Sequence, residues 1–190
     1  MDRREAIMQV SWILGGTIIG SSIFLESGCK TGPERAADFF DVETIALLNE
    51  MGETILPATS TPGAKDAKVG EFMAVMVKDC YTPNDQGIFR EGIKRLEKRC
   101  KDETGKSFME CNADERTKFF VKMDALQKGY MTTKTAEQPS HYFRMIKELT
   151  LLGFFTSEIG STKALRYIET PGRYDGNVPY KKGDRMWANS

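Results

Sequence analysis

Residues 53–77 have the sequence ETILPATSTPGAKDAKVGEFMAVMV, in which a short loop joins two stretches with the periodicity of helices. Before the loop, apolar residues recur at the spacings of three and four that an amphipathic helix requires. They are Ile45, Leu48, Met51 and Ile55. After the loop, the same spacing returns with Val69, Phe72, Met73, Met76, Val77 and Cys80. The stretch therefore predicts two amphipathic helices joined by a corner.

The loop carries residues that restrict the backbone. Pro57 ends the first helix because proline has no N–H group to donate to the preceding turn. The hydroxyl groups that follow can bond the local backbone, while Pro62 restricts one φ angle and Gly63 permits a left-handed one. We therefore expect this corner to be rigid.

This loop resembles the signature of the gluconate 2-dehydrogenase subunit 3 family, which has the pattern I-I-P-x-T-x-T-P-G-A-x-x-A-x-V before an amphipathic helix. The matching residues are Ile55, Leu56, Pro57, Thr59, Thr61, Pro62, Gly63, Ala64, Ala67 and Val69. A second similar stretch is FFTSEIGSTKALRYIETPGRYDGNVPY, at residues 154–180. The resemblance implies a non-catalytic subunit that accompanies a large flavoprotein dehydrogenase and, commonly, a c-type cytochrome.

The composition is that of one globular domain with a leader. The chain has 190 residues, of which 40% are hydrophobic, and its formal net charge is zero. Because there is no basic excess, we expect no nucleic-acid partner. The single histidine, His141, excludes most histidine-based catalysis and most zinc sites.

The first 29 residues resemble an export leader. Arg3 and Arg4 precede an uncharged run at residues 10–25, and the pair resembles a twin-arginine signal. Cys29 follows Ser27 and Gly28 as in a lipoprotein signal, so lipidation of Cys29 and a retained anchor are alternatives. The run has 16 residues, fewer than the ~20 that a spanning helix needs. In either case we expect a periplasmic protein that is attached to the membrane through its N-terminus.

The remaining chain predicts an all-α domain of about six helices. We assign a linker to residues 30–40, the helical domain to 41–168 and an extended tail to 169–190. Helix starts are predicted at Asp41, Thr82, Asn112, Pro139 or Ser140, and Ser161. The inner face of the fourth helix is predicted to contain Phe119, Phe120, Met123 and Leu126. We further expect a loop at residues 129–137, a helix stop at Gly153, buried Phe154 and Phe155, and a sixth helix at 161–168.

The cysteines of the domain allow one disulfide. Cys80 and Cys100 lie at opposite ends of the predicted third helix, too far apart to be bridged. Cys100 ends that helix and Cys111 precedes the next, so Cys100 and Cys111 are the predicted pair. The alternative is three free thiols, with Cys80 facing the core.

No pattern for catalysis or cofactor binding is visible in the chain. There is no serine elbow beside His141, no G-x-G-x-x-G after a strand and no C-x-x-C-H. We expect His141 to be a surface or helix-start residue, and we assign no catalytic, cofactor-binding or metal-binding residue. By the resemblance, FAD lies on the large partner subunit and haem c on a cytochrome partner.

The C-terminal stretch is the predicted partner interface. It combines aromatic and basic residues with proline and glycine, a composition that is typical of interfaces. The predicted interface residues are Tyr167, Arg173, Tyr174, Pro179, Tyr180 and Trp187. The alternative is that these side chains cover the domain's own helices.

The resemblance implies the small subunit of an exported FAD-dependent dehydrogenase of the glucose-methanol-choline type. Such a subunit stabilises the large flavoprotein and supplies its export signal, while the large subunit oxidises a sugar, a glycoside or gluconate. Two alternatives are a stand-alone helical envelope lipoprotein that binds or scaffolds another molecule, and an enzyme in its own right.

Overall fold

The computed structural model of the chain describes residues 39–170, 172 and 176–188. The predicted export residues Arg3 and Arg4, the lipidation site Cys29, and Arg173 and Tyr174 of the predicted interface lie outside these residues. The described part is helical and contains no strand, which confirms the all-α prediction. Its helices are α1 (Val42–Ile55), α2 (Val69–Cys80), α3 (Pro83–Thr104), α4 (Ala113–Thr133), α5 (Tyr142–Phe155), a short 3-10 helix (Phe108–Glu110) and a π-helical turn (Gly160–Ala164).

Side-chain caps begin α1, α3 and α4 at the residues that the sequence predicts. Asp41 accepts a hydrogen bond from the Thr44 N–H at 2.7 Å and begins α1. Thr82 begins α3, and Asn112 begins α4. α5 begins one or two residues after the predicted start at Pro139 or Ser140, at His141, whose Nδ1 accepts a hydrogen bond from the Phe143 N–H at 3.2 Å. The prediction of a helix-start histidine is confirmed.

The core lies between α1, α2 and α5, and α5 packs against each of the other four α-helices. The apolar faces predicted for α1 and α2 are buried or partly buried at every position except Cys80. α2 approaches α1 closely at Gly70, where a Cβ atom would lie 2.5 Å from the Ile45 carbonyl oxygen. Asn49 on α1 holds this contact, since its Oδ1 accepts a hydrogen bond from the Gly70 N–H at 2.8 Å.

Two side chains lie on the opposite face from the one predicted. Cys80 is exposed at the end of α2 instead of facing the core. On α4, Leu126 is 42% exposed while its neighbour Gln127 is buried. Adjacent helical residues differ in direction by about 100°, and α4 is rotated so that Gln127 faces the core and Leu126 faces solvent.

Helix ends differ from the predictions at three places. α4 extends to Thr133, because the hydroxyls of Thr132 and Thr133 bond carbonyl groups of the preceding turn. α5 continues through Gly153, where a Cβ atom would lie 2.7 Å from the ring of Phe72. The lack of a side chain at Gly153 lets Phe72 of α2 pack closely against α5, and α5 does not end there. The predicted sixth helix is the π-helical turn, which ends before Leu165.

Candidate partner interface

The Glu53 carboxylate links the two sides of the loop between α1 and α2, in addition to the main-chain hydrogen bond from the Ala64 N–H to the Leu56 carbonyl. Glu53 accepts hydrogen bonds from the Ala58 N–H at 2.7 Å and from the Lys65 N–H at 2.9 Å. These bonds tie the two sides of the loop together across residues 58–65. These bonds give the predicted rigidity a physical source, and residues 57–60 at the tip of the loop are exposed to solvent.

Gly63 is needed for space and not for its φ angle. Its φ is not positive, so the predicted left-handed conformation is wrong. A Cβ atom at Gly63 would lie 2.3 Å from a carboxylate oxygen of Glu53 and 2.6 Å from the Ala58 nitrogen. The left-handed conformation occurs instead at Lys68, with φ of 53°, just before α2. The glycine makes room for the carboxylate that organises the loop.

A partly buried ion pair connects this corner to α4. Arg116 donates to a Glu50 carboxylate oxygen at 2.6 Å, and Lys65 from the loop binds the other oxygen. Arg116 also donates to the main-chain carbonyls of Phe108 at 3.0 Å and Met109 at 2.9 Å. Partial burial alone would raise the pKa of Glu50, but the two cations outweigh it and hold that pKa below its ordinary value.

An exposed apolar surface lies at the C-terminal end of α5. We call it the α5-end surface, and it consists of Leu151, Leu152, Phe155 and Tyr167, which are 40–51% exposed. Leu151 and Leu152 precede Phe155 by four and three positions, so the three are neighbours on the helix. Phe155 and Tyr167 line the same cleft. Phe155 was predicted to be buried, and it is not.

The sequence does carry a signal for this surface. α5 is apolar on the face that contains Ile146 and Leu149, and also on the face that contains Leu151 and Leu152. A helix that is apolar on opposite faces is usually buried on both. Only one of these faces is covered by the described part of the chain.

The tail returns to the domain beside this surface. The Arg166 N–H donates to the Met186 carbonyl at 2.8 Å, and the Ala188 N–H donates to the Arg166 carbonyl at 2.7 Å. The Arg166 guanidinium lies 4.4 Å from the centre of the Trp187 ring. Arg185 also donates to the Lys163 carbonyl at 2.7 Å. The last turn and the tail are thus fastened to each other.

The predicted interface residues therefore have different surroundings. Tyr167 is 51% exposed and Tyr180 is 76% exposed, and Pro179 is also exposed. Trp187 is 39% exposed and packs on Arg166 of its own domain. Packing within the chain therefore accounts for part of the burial of Trp187, whereas Tyr167 and Tyr180 remain available to a partner.

A cleft of about 430 Å³ lies between the end of α5, the π-helical turn and the returning tail. It is lined by Phe155, Thr156, Glu158, Ser161, Thr162, Tyr167 and Ala188. The hydroxyls of Thr156, Ser161 and Thr162 donate to main-chain carbonyls of preceding residues. Their donors are therefore used within the fold, and Glu158 contributes a negative charge to the cleft.

The two cysteines predicted to pair lie next to each other. The sulfur atoms of Cys100 and Cys111 are 3.8 Å apart and both residues are buried. The structure contains them as thiols, and the disulfide stays a prediction. Burial raises the pKa of the Cys100 thiol to about 11, although a hydrogen bond with Thr104 opposes the rise.

Among residues 39–170, 172 and 176–188, no group of three histidine, cysteine or acidic side chains could hold a metal ion. No helix in the same part of the chain has the length and apolarity to cross a membrane.

The sequence model of one protein family matches the chain. The family is described as Gluconate 2-dehydrogenase subunit 3, and the match covers residues 42–172, which is more than half of the chain. It begins at the first residue of α1 and includes the rigid corner and the α5-end surface. Neither the curated proteins nor the solved structures contain a significant match.

Proposed function

The chain belongs to the gluconate 2-dehydrogenase subunit 3 family, and from this membership we propose that it is the non-catalytic small subunit of an exported FAD-dependent dehydrogenase of the glucose-methanol-choline type. The large subunit holds the FAD and oxidises a sugar, a glycoside or gluconate. Electrons then pass to a c-type cytochrome where the complex contains one. The small chain stabilises the large subunit and assists its export.

The α5-end surface is the observation that carries this proposal. Leu151, Leu152, Phe155 and Tyr167 expose apolar area side by side, and the fixed tail lies along their border. A cluster of exposed apolar side chains is costly for a protein that functions alone, because water must cover it. In a family of dehydrogenase subunits, we expect a larger subunit to bury this surface.

The export role rests on the leader. Arg3 and Arg4 resemble the twin-arginine signal that directs folded, cofactor-loaded proteins across the membrane. One signal on the small chain then exports a large partner that lacks its own. Cys29 supplies the lipid attachment if it is modified, and a retained leader supplies an anchor if it is not.

We would test the assembly by purifying the tagged full-length chain from its native host in mild detergent. A flavin absorption spectrum and a large chain in roughly equal amount are expected. A colourless chain without a partner would refute the proposal and leave the stand-alone lipoprotein. Replacing Arg3 and Arg4 by lysine should retain the flavoprotein in the cytoplasm, while the complex itself still forms.

The surface is tested by matched substitutions at exposed positions. Leu152→Asp on α5 should release the flavoprotein, because the charge would have to be desolvated at the interface. Val121→Asp on α4 is the control, since Val121 is 65% exposed and lies outside the α5-end surface. If both variants retain the flavoprotein equally, the partner contacts another face.

A further inference from the structure

Hydrogen bonds within the fold fix the walls of the cleft beside the α5-end surface. Its volume is about 430 Å³, and its walls come from three segments that are fastened to one another. The hydrogen bonds between Arg166 and the chain at 186–188 hold the Ala188 wall in place. Arg185 bonds the Thr162 and Lys163 carbonyls at the end of the π-helical turn. The cleft is therefore largely formed before any partner arrives.

Its chemistry favours one kind of side chain. Phe155 and Tyr167 supply aromatic surface, and Glu158 supplies a carboxylate. Within residues 39–170, 172 and 176–188, no lysine or arginine forms an ion pair with Glu158, although Lys163 and Arg166 are close in sequence. An unpaired carboxylate beside aromatic rings is complementary to a cation with an apolar stem.

The chain's own arginines near the cleft are already engaged. Arg166 lies over the ring of Trp187, and Arg185 donates to the carbonyls of the π-helical turn. The described part of the chain therefore does not itself neutralise Glu158. The exposed Glu158 carboxylate is therefore open to a cation that does not come from the described residues.

We propose that this cleft receives an arginine side chain of the large flavoprotein subunit. The guanidinium lies against Phe155 and Tyr167 and donates to the Glu158 carboxylate. Arginine fits better than lysine because its planar group stacks on aromatic rings and can form two parallel hydrogen bonds with a carboxylate. This inference rests on the proposed function. The contact between the partner's arginine and Glu158 would orient the α5-end surface on the large subunit.

The test measures the affinity of the purified large subunit for variants of the full-length small chain. Glu158→Gln should weaken binding about tenfold at low salt, because it removes one charge-assisted interaction. Glu158→Lys should weaken it about a hundredfold or more, since like charges then meet. Both effects should shrink at about 0.5 M salt, where exposed charges are strongly screened. Glu137→Lys is the matched control, beyond the opposite end of α5, and should leave the affinity within about twofold.

Because Glu158 is exposed, its variants should fold, and an unchanged unfolding midpoint checks this. If the wild-type chain does not bind the flavoprotein, the proposed function fails and this inference fails with it. If the wild type binds and the Glu158 variants bind as tightly, only the arginine contact is refuted. Loss of binding in Phe155→Ala without any effect at Glu158 would also refute it, because the cleft would then take an apolar group.

Discussion

Replacing Gly63 by alanine should destabilise the protein, although glycine-to-alanine changes in loops often stabilise. The new Cβ atom would lie 2.3 and 2.4 Å from the two carboxylate oxygens of Glu53 and 2.6 Å from the Ala58 nitrogen. The carboxylate can move away, but only by releasing the N–H groups of Ala58 and Lys65. The nitrogen belongs to the backbone, so relief of that contact requires the loop itself to shift.

The magnitude follows from the bonds that are lost. A hydrogen bond to a charged group contributes about 1.5–3 kcal/mol when it is shielded. Both bonds of Glu53 are near solvent, so together they contribute about 2–3 kcal/mol. Alanine returns about 0.4–1 kcal/mol by restricting the unfolded chain. We therefore expect Gly63→Ala to lower the free energy of unfolding by about 2 kcal/mol.

Urea unfolding followed by circular dichroism measures this change. Gly87→Ala is the control, because a Cβ atom there meets no atom within 4 Å, and helix propensity predicts about 0.5–1 kcal/mol of stabilisation. In a Glu53→Ala background, Gly63→Ala should cost about 2–3 kcal/mol less than in the wild type, since the two hydrogen bonds of Glu53 are already absent. A Gly63→Ala variant as stable as the wild type would refute the steric argument, and strictly additive effects would refute the role of the carboxylate.

Three further predictions concern stability. Arg116→Ala should lower the free energy of unfolding by about 2 kcal/mol, because it leaves two main-chain carbonyls without their donor and removes one of the two cations bound to the partly buried Glu50 carboxylate. Thermal unfolding tests this, with Arg144→Ala on the surface as the matched control. When exported protein is alkylated in denaturant, Cys100 and Cys111 should react only after reduction, whereas Cys80 reacts without it. Reduction should cost about 3 kcal/mol of stability for a loop of this length, and alkylation of Cys100 and Cys111 without reduction would contradict the disulfide. Hydrogen bonds from Lys128 and Lys147 lower the pKa of Asp124 to about 2. The ionised Asp124 therefore stabilises the fold above about pH 4, and this stabilisation is lost as the pH falls towards 2. Asp124→Asn should flatten the acid dependence of the urea midpoint in that range, and an unchanged dependence would show that the ion pair is not stabilising.

The corner between α1 and α2 illustrates how far sequence reasoning can reach. Pro57 and the following Thr, Ser and Gly residues correctly predict a rigid loop between two helices. The reason for Gly63 was nevertheless wrong, because the obstacle to a side chain is the Glu53 carboxylate, ten positions earlier. Backbone preferences of a residue are local, whereas the space around it depends on which distant atoms the fold brings near.

The ends and faces of the helices also show which features depend on local sequence and which depend on tertiary packing. Asp41 and Asn112 begin their helices as predicted, because a cap acts on an N–H group only three residues away. Gly153 was misjudged as a stop, since only the packing of Phe72 against it explains why it lies inside α5. Gln127 is buried in place of Leu126 because the rotation of α4 is set by all of its contacts together.

The sequence by itself determined the all-α class, the caps of α1, α3 and α4, and the family, because these depend on spacing and residue type along a few turns of chain. Only the tertiary structure decided that the cysteine pair is adjacent, that the tail is fastened at Arg166, and that residues 39–170, 172 and 176–188 leave the α5-end surface uncovered. Exposure is a property of the whole assembly of helices. A leucine with the spacing of a core residue becomes a surface residue when no neighbouring element in the described chain packs against it. The α5-end surface is such a place, and we expect the partner subunit to bind there.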